Sequence, residues 1–249
     1  MESRVGRPLR SIYIGRFWGR CLALVVGIWV YLLWPEQFSA LPGMAFFEKI
    51  SLLHVIWCVW VIDMLMQLIP VRPLRQLVPL GSQKLFALHF RPGKSPGEEQ
   101  ALRIYTRQQN QRAFWVAVTW VLLIVLIGLL YGKKIINEAM LLLVSLVFYV
   151  CDLICVLFWC PFRVFFLENR CCTTCRIFNW DHLMMFSPLV YLKSFYAWSL
   201  ILLAVVVFVV WEVKVYRHPE RFWEGTNQAL KCGECTDKLC LRYSRLIKK

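Results

Sequence analysis

"FWVAVTWVLLIVLIGLLYGKKIINEAMLLLVSLVFYVCDLICVLFWC", residues 114–160, decides the fold. Two apolar runs, 114–131 and 137–160, are joined by a short polar turn around "GKKIIN". At 18 and 24 residues they bracket the about 20 that a helix needs to cross a bilayer. Helices satisfy their own backbone hydrogen bonds, so such a pair is at home in hydrocarbon where irregular chain is not. The hairpin specifies an all-α, polytopic integral membrane protein.

Three further apolar runs flank it, at about 17–34, 50–70 and 189–213. The expected plan is a basic N-terminal tail, 1–16, a transmembrane domain, 17–213, and a basic, Cys-containing tail, 214–249. The loop 71–113 is polar, with the Pro/Gly-rich centre "RPGKSPGEEQ" followed by a helix that feeds the third span. The loop 161–188 carries a cysteine cluster. The first run follows a basic segment, as in a signal peptide, but "PEQFSALPG" offers no clean small-x-small cleavage site, so an uncleaved anchor is expected.

Composition agrees. Of 249 residues 59% are hydrophobic and 18% charged, where a soluble domain carries roughly a quarter charged. The net charge of +14 reads as basic flanks that orient spans and meet anionic headgroups, with no nucleic-acid partner expected. Orientation is less settled. Lys and Arg number five in residues 1–20, one in the first loop, eight in 71–113, two in the hairpin, three in the Cys loop and nine in the tail, with Lys193 completing the 29. The positive-inside rule puts the N-terminus and the 71–113 loop in the cytoplasm of a cell-membrane protein. Five spans would then leave the tail outside. A sixth, irregular or re-entrant element within 161–192 would bring it inside.

Two thiol clusters carry candidate chemistry. "CCTTC" holds Cys171, Cys172 and Cys175, and "KCGECTDKLC" holds Cys232, Cys235 and Cys240. A C-x-x-C turn converges two thiolates from one tight loop, and two such pairs complete a four-thiolate site for zinc or an iron–sulfur cluster. Arg170, Arg176, Lys231 and Lys238 would favour thiolates nearby. His182 is a further candidate ligand, with Asp181 as its carboxylate partner or as a helix N-cap. His218 is another. Within the spans lie Asp63, Asp152, Lys193, His54, Cys151, Cys155 and Cys160, with Cys58 able to join those thiols. Ionisable groups at bilayer depth face the protein interior and find partners. A pair of Asp152 with Lys193 is the simplest arrangement.

No GxxxxGK[ST], GxGxxG or HExxH occurs, and the "GKSPG" match to GxSxG lies in a loop without the strand and helix that motif requires. The expected function is a membrane protein with a Cys-ligated metal or iron–sulfur site in a redox or accessory role, with other membrane or redox proteins as partners. The alternatives are a thiol–disulfide relay across the bilayer, or a non-redox transporter or complex subunit using Asp152 and Lys193.

Overall fold

The computed structural model describes residues 9–48, 50–69, 80–87, 90–93, 98–169, 172–231 and 234. Among these the protein is all-helical, with α1 Leu9–Leu33, α2 Leu52–Leu68, α3 Glu98–Gly132, α4 Glu138–Leu157, α5 Asp181–Phe186 and α6 Phe195–Arg217 as its α-helices of more than one turn. α1, α3, α4 and α6 are long and apolar enough to cross a membrane, while the apolar α2 has only 17 residues. Their outward faces carry exposed apolar side chains, such as Val25, Leu32, Leu122 and Leu202.

Local signals set the helix ends. The α3–α4 hairpin forms where the sequence places it. Lys134 turns the chain with φ 57°, and the Asn137 side chain caps α4 by accepting from the Met140 amide at 2.9 Å. α3 runs without a break from the polar "EEQALRIYTRQQNQR" into the apolar run, as expected. α4 stops before Pro161, and a π-helical turn, Phe162–Leu167, follows.

Helices α1 and α4 pack antiparallel, with Tyr31 hydrogen-bonded to Asn137 at one end and Phe17 against Phe158 at the other. One end of the bundle holds the α3–α4 hairpin and residues 34–48. The other holds the N-terminus of α1, the Cys loop and the C-terminus of α6. Between Trp180 and Lys193 the chain runs back from the second end to the first. Trp180 bonds to Glu212 near the end of α6, Tyr191 donates to the Ile124 carbonyl of α3, and the Lys193 carbonyl accepts from Gly43. This irregular return, α5 plus a 3-10 segment through Tyr191, is buried at Met185, Phe186, Leu189 and Leu192. The core it completes is built from Trp60, Leu141, Leu142, Tyr196, Leu200 and Ala204. The C-terminus of α6 therefore emerges beside the Cys loop.

Candidate functional site

Three features meet at the Cys-loop end. The first is a buried charge network. Arg20 of α1, only 8% exposed, donates to Asp152 Oδ2 at 2.7 Å, to the Tyr149 carbonyl at 2.8 Å and to Asp63 Oδ2 at 3.2 Å. Its guanidinium lies 3.7 Å from the centre of the Tyr149 ring. His182, almost wholly buried, places Nε2 3.6 Å from Asp63 and Nδ1 3.1 Å from Asp181 Oδ1. Gln67 donates to Asp181 Oδ2 at 3.3 Å. A cavity of about 40 Å³ borders the network, lined by Arg16, Arg20, Asp63, Asp152 and Asp181 among others. That is room for a few waters, at ~10–15 Å³ each.

This arrangement differs from the expected pairings. Asp152 is matched by Arg20, not by Lys193, which is exposed at the opposite end. Asp181 is not a cap: Trp180 precedes α5 without a side-chain cap bond, and the carboxylate turns inward to Gln67 and His182. Asp63 joins the network near the end of α2, whereas His54 sits at the helix start, bonded to Ser51 and to the Phe46 carbonyl at 2.7 Å. Arg20 is the residue the sequence reading missed. Its signal is an arginine inside the first apolar run, an ionisable group within a span, although the charge count above takes it with the N-terminal cations.

The second feature is a larger apolar cavity of about 370 Å³. Five of the seven described cysteines line it: Cys151, Cys155, Cys160, Cys172 and Cys175. Met184 and Met185 add thioethers, and Trp120, Phe148 and Phe178 add aromatic walls. The Cys172 thiol donates to the Cys155 carbonyl at 3.4 Å. Cys58 is exposed on α2 and takes no part.

The third is the junction between Cys loop and tail. Cys171, Cys232, Cys235 and Cys240 lie outside the described residues, and Ser95 of the "GKSPG" match does too. Cys172 and Cys175 bracket a 3-10 turn, with the Cys175 amide bonded to the Cys172 carbonyl. The buried Lys84 donates to the Cys175 carbonyl at 3.0 Å, its ammonium lying over the rings of Trp211 and Phe222. A few residues on, Arg91 and Gly93 hold the tail: the Gln228 amide donates to the Arg91 carbonyl, and the Gly93 amide to the Thr226 carbonyl. Arg91 also reaches Glu234 at 3.7 Å, inside the second C-x-x-C. Arg176, expected beside the thiols, instead forms a two-bond pair with Glu212 and anchors the loop to α6. His182 faces Asp63 and Asp181, and His218 ends α6 against Glu220. Among the described residues no group of three or more His, Cys, Asp or Glu side chains is arranged to hold a metal ion. No family model, curated protein or solved structure matches the chain.

Proposed function

We propose that this is an integral membrane protein whose cytoplasmic end carries a thiolate-ligated metal site, zinc or an iron–sulfur centre, with a redox or accessory role. The ligands are Cys172 and Cys175 from the loop and Cys232 and Cys235 from the tail, with Cys171 and Cys240 adjacent. One observation carries the reading: the strap 80–93 is bonded to Cys175 through Lys84 and to Glu234, between the tail thiols, through Arg91. A relay across the bilayer would want the two C-x-x-C turns at opposite ends of the bundle.

The charge distribution supports the orientation. Six passages between the ends, α2 and the irregular return included, would bring the N-terminal segment, the 71–113 loop, the Cys loop and the tail to one end. Those segments hold all but four of the 29 Lys and Arg; Lys49, Lys133, Lys134 and Lys193 belong to the other. The positive-inside rule then assigns the cation-rich end to the cytoplasm, facing anionic headgroups and a compartment that keeps thiols reduced.

Elemental analysis and an absorption spectrum of the full chain, purified anaerobically, test this. The expected result is bound zinc, or the visible absorption of an iron–sulfur cluster, lost in Cys172→Ser and in Cys235→Ser. A colourless preparation free of zinc and iron removes the proposal.

A further inference from the structure

The larger cavity is a ligand-sized space whose wall carries one sign of charge. At about 370 Å³ it falls within the roughly 300–1,000 Å³ range of small-molecule sites. Trp120, Phe148, Phe162 and Phe178 line it, and the Trp120 ring centre stands 4.9 Å from that of Phe148 and 6.2 Å from that of Phe162. Cys151 on α4 and Trp159 just past its end also line it, and both are exposed on the outer face of the bundle. Its mouth therefore opens among side chains that face hydrocarbon. Thiols aside, Asp152 and Asp181 are the only ionisable groups on its wall among the described residues; no Lys, Arg or His lines it.

Asp152 has an oxygen to offer there. Its Oδ2 is taken by Arg20 at 2.7 Å, whereas its Oδ1 accepts no hydrogen bond among the described residues. The side chain is 24% exposed and lines both the apolar cavity and the small polar one, so Oδ1 is open rather than sealed in the packing. Asp181 differs: its Oδ1 meets His182 and its Oδ2 meets Gln67, so it adds charge to the wall but no free acceptor. Arg20 is shared between Asp63 and Asp152, His182 lies between Asp63 and Asp181, and Arg16 lines only the small cavity. Three carboxylates thus share two cationic partners at this wall. A carboxylate beside an apolar space is stabilised by a cation that replaces its lost hydration.

A neutral apolar occupant would leave Asp152 Oδ1 without a donor, and an anion would be repelled by both carboxylates. We propose that the cavity binds an amphiphilic amine in its protonated form, taken from the bilayer. Its apolar body lies among the aromatic rings, and its ammonium donates to Asp152 Oδ1. The small cavity on the other side of Asp152 has room for waters that satisfy the remaining N–H groups. None of the proposed metal ligands is asked for a donor, so this site stands or falls separately from the metal.

The test uses the full chain in phosphatidylcholine nanodiscs, with empty nanodiscs as the background. The probe is tritiated 4-phenylbutylamine, charged at pH 7 as a Lys side chain is, and binding is read by scintillation proximity. The expected result is saturable binding of one probe per chain. Unlabelled amine competes, whereas 4-phenylbutanol, with the same body and no charge, and the anion 4-phenylbutyrate do not. Asp152→Asn weakens binding by about tenfold or more, the size of one lost charge-assisted hydrogen bond. Cys151→Trp plugs the mouth from the lipid-facing surface and abolishes binding, while Leu202→Trp, on the outer face of α6, leaves it unchanged. Where Asp152→Asn fails to fold, Cys151→Trp and the competition decide. No saturable binding above the empty nanodiscs, competition by the alcohol equal to that of the amine, or unchanged binding in Cys151→Trp or in folded Asp152→Asn overturns the proposal.

Discussion

Arg20→Met is the perturbation that most directly tests the charge network. Methionine keeps much of the side-chain volume and removes the charge, leaving Asp63 and Asp152, with side chains 22% and 24% exposed, without their shared cation. Removing one partner of a buried ion pair costs about 3–5 kcal/mol. His182, 3.6 Å from Asp63, moderates the loss there, while the Tyr149 carbonyl also loses its donor. We therefore expect a net loss of about 4 kcal/mol, taking the middle of that range. For a chain of this size each kcal/mol lowers the melting temperature by about 2–4 °C, which puts the expected fall at about 8–16 °C.

The assay is thermal unfolding in detergent, followed by the reaction of a thiol dye with the buried Cys160 and Cys175. Adding Asp152→Asn to Arg20→Met should recover about half of the loss, because the carboxylate left unpaired is then neutral. With the Arg20–Asp152 contact at 2.7 Å, the double-mutant cycle should return a coupling of about 2–3 kcal/mol, the upper part of the range for residues in contact. A melting temperature within about 2 °C of wild type for Arg20→Met, less than 1 kcal/mol by the same scale, would refute the reasoning. So would an Asp152→Asn change that adds to the damage.

Gly128→Ala should destabilise by about 1–3 kcal/mol, as overpacking does, because its Cβ would strike the Tyr191 ring and displace the hydroxyl from the Ile124 carbonyl; the same unfolding assay checks it, and Tyr191→Ala should recover part of the loss. In sealed vesicles of known orientation, with Cys58 replaced by serine, an impermeant maleimide should label Glu99→Cys and Lys231→Cys from the cytoplasmic side and Ile50→Cys from the other. Labelling of Glu99→Cys and Lys231→Cys from opposite sides would contradict the six-passage path.

The hairpin and the long helices were legible because uninterrupted apolar runs and turn residues act locally. "LLYGKKIINEAM" and the unbroken α3 needed no tertiary information. The charge network was not legible, because its partners are drawn from α1, α2, α4 and α5. Arg20, Asp63, Asp152 and His182 are separated by up to 162 residues, and no spacing rule links them. Lys193 looked like the natural partner of Asp152 since both sit in apolar surroundings, but the two lie at opposite ends of the bundle. The convergence of Cys151, Cys155 and Cys160 with Cys172 and Cys175 on one cavity was half visible. Helical periodicity put Cys151 and Cys155 on one face of α4, while only the return of the chain after Pro161 brought the loop thiols beneath it.

The return segment is where sequence reading and physical constraint diverge most. Asn179, Asp181, His182 and Pro188 interrupt its apolar character, so hydropathy reads residues 161–188 as a loop. Yet non-helical backbone at membrane depth is tolerated only where protein covers it. That condition is met: the segment packs against α3, α4 and α6, and Phe186 and Leu189 are fully buried. Its polar residues are the ones that complete the site, His182 against Asp63 and Asp181 on the wall between the two cavities. A regular apolar helix in this position would close the parity of the topology equally well. It would provide neither the second carboxylate at the thiol cavity nor an imidazole beside Asp63. The departure from helical, apolar sequence is thus concentrated where the chemistry is, and conversion of Asp181 and His182 to apolar residues should preserve the topology while removing the site.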